Sequence, residues 1–116
     1  MTTGSTIAHV PTLADAVLAD ARQSHAGRAG RTLTRGVGVP LTQTLLALVA
    51  GVTLNEHESP GAATLHVLQG RLRLDASGEE LELSTGDHAS IPAVRHSVTS
   101  LEDAVALLTV AAAHGT

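Results

Sequence analysis

Four of the seven histidines fall in two segments that each open on glycine. The first runs Gly51-Val-Thr-Leu-Asn-Glu-His57-Glu-Ser59-Pro-Gly-Ala-Ala63-Thr-Leu-His66-Val-Leu-Gln-Gly70, and the second Gly86-Asp87-His88-Ala-Ser-Ile-Pro92-Ala-Val-Arg95-His96. Imidazole ligates divalent transition metals and moves protons near neutral pH, so these segments are where chemistry is expected first. Glu56 and Glu58 flank His57, and on a regular strand they point away from it, because successive side chains alternate; only a bulge changes that. The remaining acids sit mostly at turns and outward positions, which leaves no paired carboxylates for general acid–base work. No nucleophile-elbow pattern and no Gly-rich phosphate loop is present.

Composition narrows the classes further. The chain has 116 residues, enough for one domain with a thin core, and a formal net charge of −4, which steers it toward neither nucleic acid nor anionic membrane. All seven basic residues are arginine, which together with abundant Ala, Gly and Leu suggests a bacterial source with a GC-rich genome. Cysteine is absent, so disulfides, thiolate metal sites and cysteine nucleophiles are excluded together. Phe, Tyr and Trp are absent as well, which removes stacking platforms for bases, flavins and sugars. Any pocket must be lined by Leu, Val, Ile and Ala with a few polar groups. No secretion signal or stretch long enough to span a bilayer is visible, and the expected compartment is the cytoplasm.

The elements that must carry these segments are mainly strands. Residues 1–11 read as an arm. A helix is expected from Thr12, capped by Thr12 with Asp15 as return partner and striped by Leu13, Ala16, Val17, Leu18 and Ala21; Gly27 and Gly30 end it. Strands are expected at Arg31–Arg35, at a long Leu41–Val52 with apolar residues on both faces, at Thr64–Leu68, at Arg71–Leu74, at Glu80–Leu83, and then at His88–Ile91, His96–Thr99 and Ala104–Val110. Ser59-Pro60-Gly61 reads as a turn, and Gln69-Gly70 as a tight connection between two antiparallel strands. Alternation places Leu65 and Val67 on one face of their strand and His66 on the other. Short strands at this spacing, broken by Gly, Pro and Ser, indicate a sandwich or barrel. The division is an N-terminal arm and helix over 1–30 and a β-barrel domain over 31–116.

The two segments resemble the paired signature motifs of the cupin superfamily. The family's first motif, G-x5-H-x-H-x3,4-E-x6-G, is matched by Gly51, His57 and Gly70, while Ser59 stands at its second histidine and Ala63 at its glutamate. The second, G-x5-P-x-G-x2-H-x3-N, is matched by Gly86 and Pro92; its second glycine is missing, His96 arrives one residue early, and Ser100 replaces the asparagine. The resemblance covers residues 41–110. It implies an all-β fold, a small cupin-type jelly-roll β-barrel with one N-terminal helix, assembled as a homodimer. It carries over two metal ligands, His57 and His96, for one divalent transition metal among Fe, Mn, Ni, Cu and Zn. Two imidazoles hold such an ion weakly, since most catalytic sites use three protein ligands.

Other polar residues have simpler expected roles. His66 and His88 are structural or surface residues; His9, His25 and His114 are solvated. Arg95 is expected to reach Glu102 or Asp103. Glu79, Glu80 and Glu82 form a solvated face, and Asp87 caps its own turn. Gln43 and His88 are lumen candidates of undetermined direction. The function expected first is binding of a small molecule, a metal, or both in the barrel lumen, as a sensor or accessory protein. A metal-dependent oxygenase or isomerase using His57 and His96 is the alternative, and a purely structural or assembly module the second alternative. No nucleic-acid or membrane partner is expected.

Overall fold

In the computed structural model, which describes residues 7–35, 40–57, 61–91 and 94–112, one helix is followed by nine strands. They are α1 (Val10–Gln23), β1 (Arg28–Arg35), β2 (Leu41–Leu48), β3 (Thr53–His57), β4 (Gly61–Gln69), β5 (Arg71–Ala76), β6 (Glu79–Ser84), β7 (His88–Ile91), β8 (His96–Ser100) and β9 (Ala104–Ala112). They form two antiparallel sheets, a five-stranded one in the order β1-β2-β9-β4-β7 and a four-stranded one in the order β3-β8-β5-β6. This is the expected jelly-roll layout. One of its cores lies between the sheets: Leu48, Ala63, Leu65, Val67, Leu72, Leu74, Leu83, Ile91, Val98, Ala104 and Ala106.

The second core lies outside the barrel. Ala14, Val17, Leu18 and Ala21 fall at i, i+3, i+4 and i+7 on α1 and pack on Leu45, Ala47 and Val105 of the five-stranded sheet. The apolar outer face of β2 is therefore covered by the chain's own helix. The helix starts earlier than expected, with His9 rather than Thr12 at the N-cap and no side-chain cap; the Thr12 hydroxyl instead lies 2.7 Å from His9 Nδ1. Pro11, whose fixed φ suits the first turn and whose missing N–H needs no partner, favours the earlier start. A lost cap costs about 1 kcal/mol, whereas burying Val17 and Leu18 contributes about 1.5–3 kcal/mol each, so packing decides the matter.

Three strand expectations need correction. The long Leu41–Val52 strand breaks after Leu48; a turn over Val49–Val52 carries the chain into β3 and the other sheet. Gln69-Gly70 is not a hairpin turn, because β4 and β5 belong to different sheets. In β6 only Leu83 is buried; Leu81 faces inward but is 46% exposed, because β6 is an edge strand with one neighbour. By contrast Arg71 to Leu74 alternates as expected, with Leu72 and Leu74 buried. Gly30 lies inside β1 rather than ending the helix. The expected turn at Ser59-Pro60-Gly61 falls largely outside the described residues.

Asp103 ties the two cores together. Its carboxylate accepts from Arg22 Nε of α1 at 2.9 Å and from the Ala50 backbone N–H of the β2–β3 turn at 2.8 Å. The Ala50 hydrogen bond first, and the Arg22 hydrogen bond second, hold its pKa below the ordinary 3.8. A carboxylate with a lowered folded pKa stabilises the fold above its unfolded value and loses that contribution as the pH falls through the folded one. Asp103→Asn is therefore expected to lower the melting temperature at neutral pH and to flatten the fall in stability on acidification below 3.8, read by circular dichroism melts across pH. An unchanged acid limb in the variant would remove Asp103 from this role.

Candidate functional site at the open end of the barrel

Two of the motif histidines close the ends of described strands, His57 the last residue of β3 and His96 the first of β8. The β3–β8 register pairs His57 directly with His96. Between Leu54 and His57 the register slips by one residue, so β3 is bulged just where regular alternation was in question. The next partner of His96 is Ala76, which extends this row into β5.

His96 is 2% exposed, and its Nδ1 lies 2.9 Å from the Val94 carbonyl oxygen. A carbonyl only accepts, so Nδ1 carries a proton and donates it. A hydrogen bond of this kind orients a histidine for work through its other nitrogen.

Opposite, the five-stranded sheet offers two inward rows. One is Thr42-Val110-Ala63-Ile91 and the next is Thr44-Leu108-Leu65-Ala89. Ala63, at the family's glutamate position, is 6% exposed and belongs to the apolar core. Leu108 and Val110 lie on the middle strand of their sheet yet are only half-buried, while Ala104 and Ala106 further along the same face are fully buried. Along the inward face of β9, burial is thus complete at Ala104 and Ala106 and partial at Leu108 and Val110.

The two-imidazole set does not make up the family's metal centre. No group of three or more His, Cys, Asp or Glu that could hold a metal occurs among the described residues. Ser59 lies outside the described residues. Gln43 shares its face with Leu45 on the helix side and contacts Thr109 at 3.3 Å, so it is not a lumen residue. His66 and His88 also lie on that outer face, directly paired. Asp87 caps its turn as expected, accepting from the Ser84 N–H at 2.7 Å. Glu79, Glu80 and Glu82 are exposed. Glu102 lies by Arg71 and Asp103 by Arg22, so both acids expected beside Arg95 are engaged elsewhere. Arg95 instead borders a shallow hollow of about 250 Å³ with Asp75, Ser77, Glu79 and Glu80.

Two residues gained roles that their sequence context did not signal. Ser100, buried at 2%, turns its hydroxyl toward the Leu48 and Glu102 carbonyls and fastens β8 to the β2–β3 turn. Asp103 reads in sequence as one more acid in a loop; its partners lie 81 and 53 residues away.

The jelly-roll, the glycine-anchored segments and the paired histidine positions define a cupin-type barrel. A family model described as the cupin domain matches residues 45–111, more than half of the chain, and the chain belongs to the cupin family. Solved structures agree on the fold. A conserved protein of unknown function from Streptococcus pyogenes superposes with a TM-score of 0.71 at 20% identity, covering 99% of this chain and 93% of that one. A cupin superfamily protein from Desulfitobacterium hafniense gives 0.69 at 17% identity over 74% of this chain and 78% of that one. KdgF from a Halomonas species gives 0.64 at 19% identity over 74% and 80%. No curated protein matches by sequence. No helix among the described residues is long and apolar enough to cross a membrane.

Proposed function

We propose that the open end of the barrel binds a small, largely aliphatic molecule through one polar group, and that the protein serves as a sensor or accessory protein rather than as a catalyst. The observation that carries this reading is the half-buried aliphatic surface of Leu108 and Val110 on the inward face of one sheet, together with a buried, oriented His96 on the other sheet. A histidine ring both donates and accepts hydrogen bonds, so the ligand presents a hydroxyl or an amide. The wall beside it is apolar because Ala63, Ile91 and Val110 form one row, and a site of mainly apolar lining with few polar groups is the ordinary form of a small-molecule pocket.

A ligand at about 100 times its Kd adds about 2.7 kcal/mol, which for a domain of this size raises Tm by about ten degrees or more. A library of small aliphatic alcohols, hydroxy acids and amides is expected to contain members that raise Tm and shift the backbone amide signals of Ala63, His96 and Val110. His96→Leu is expected to lose both effects. Since the chain lacks Trp and Tyr, circular dichroism and NMR are the suitable readouts. A library in which nothing shifts those amides overturns the reading and leaves the structural-module alternative.

A metal on His57 and His96 is the second reading, favoured by their direct pairing in the β3–β8 register. It predicts stoichiometric Fe, Mn, Ni, Cu or Zn in the mildly purified protein, lost in both His57→Ala and His96→Ala. Metal content near zero, with no uptake on addition, removes it. A homodimer belongs to either reading and is tested by sedimentation equilibrium.

A further inference from the structure

We infer that the outer face of the five-stranded sheet carries a metal site separate from the lumen, a two-histidine chelate of His66 and His88 that takes a borderline divalent cation such as Cu²⁺, Ni²⁺ or Zn²⁺. His66 on β4 and His88 on the edge strand β7 are direct antiparallel partners. Their ring centroids are 6.3 Å apart with planes at 60°. Partners of this kind have Cβ atoms about 4.5–5.5 Å apart, which lets small rotations about the side-chain bonds aim both rings at one ion. Among the described residues neither ring takes part in a hydrogen bond, so their nitrogens are uncommitted.

Access and electrostatics agree with the geometry. His88 is exposed and His66 half-buried, with Leu107 as its other cross-strand neighbour. The helix packs over the β1–β2–β9 side of this face, so β7 and the near part of β4 are left open to solvent. In the same row the nearest arginine is Arg31, three strands from His66, or about 14 Å at the usual strand spacing, too far to repel a cation strongly. Imidazole suits Cu, Ni and Zn, with Cu²⁺ bound most tightly in the usual order, and water fills the remaining positions.

The test is titration of the full chain with Cu²⁺ alone at pH 7.5, followed by calorimetry and by paramagnetic broadening of backbone amide signals. Broadening is expected to centre on β4 and β7. His66→Gln and His88→Gln are each expected to weaken binding by at least the roughly tenfold that even an outer-sphere change costs a metal site, while His96→Ala retains it. His88 is exposed, so its variant keeps the fold, which an unchanged melt verifies. Copper binding that is unaltered in both glutamine variants, or broadening confined to β3 and β8, overturns the inference.

Discussion

Gly70→Ala is expected to destabilise the barrel by more than about 3 kcal/mol. Two costs add. Gly70 has φ +77°, where a residue with a Cβ loses about 1–2 kcal/mol. The added Cβ would also overlap the Asp103 carbonyl oxygen and come within 2.9 Å of the Ala104 Cα, both backbone atoms that cannot rotate away. The corner is fastened on both sides, by the Thr85 hydroxyl donating to the Gly70 carbonyl at 3.0 Å and by the Leu101 N–H donating to the Arg71 carbonyl at 2.9 Å. Gly78 provides the control. It has φ +78° in the β5–β6 turn, but a Cβ there meets nothing within 4 Å, so Gly78→Ala carries the conformational cost alone. Urea denaturation of the two variants separates the terms, and a Gly70→Ala protein as stable as Gly78→Ala would refute the steric account. Against a total stability of about 5–15 kcal/mol, the loss is large enough to lower the yield of folded protein.

Ala63→Glu is expected to do two opposite things. Without metal it places a carboxylate at a position 6% exposed, between Val110 and Ile91. An unpaired buried acid costs roughly 2 kcal/mol or more, part of which is relieved by protonation. With Mn²⁺ or Zn²⁺, the carboxylate joins the imidazoles at positions 57 and 96, a two-histidine, one-carboxylate set of the kind that holds such ions. At about 1,000 times its Kd the metal adds about 4.1 kcal/mol, so the variant should melt below the parent when metal-free and recover most or all of the loss when loaded. Ala63→Gln keeps the size and removes the charge, and it should show little metal response. If Ala63→Glu gains as much from metal after His96→Ala as before, the ion sits elsewhere and the paired histidines are not a latent centre.

Elements with a local cause were legible in the sequence. Arg71 to Leu74 alternates because each leucine is buried by its immediate pleat, and Asp87 caps a turn three residues long. Val17, Leu18 and Ala21 of the α1 stripe were visible for the same reason, although Ala14 rather than Ala16 completes it and Pro11 moved the start of the helix. What the sequence hid was membership. Gly70 marks a sharp turn in either a hairpin or a crossing between sheets, and only the packing of Asp103 and Ala104 against it decides which. Leu81 fits the alternation of β6 and is nonetheless exposed, because burial depends on a neighbouring strand that is absent on that side.

The candidate site divides in the same way. The family resemblance implied that residues 57 and 96 belong together, and the β3–β8 register pairs them. The Val94 hydrogen bond that orients His96, and the bulge before His57, depend on backbone geometry that composition and spacing do not encode. The pairing of His66 with His88 needed the β4–β7 register, since 22 residues separate them and no motif joins them.

The strand order also constrains how the chain is made. β9 is the last strand in sequence, yet it sits in the middle of the five-stranded sheet, joining β1–β2 to β4–β7. During synthesis from the N-terminus, β2 and β4 emerge with their shared neighbour still untranslated, and α1 emerges before the Val105 surface on which it packs. The two halves of the sheet therefore stay apart on the ribosome until residues 104–112 have left the exit tunnel, and acquisition of protease resistance by nascent chains should be abrupt and late rather than gradual. The four-stranded sheet is complete in sequence before β9, but the five-stranded sheet, and with it the core between the two, closes only once the final strand has been made.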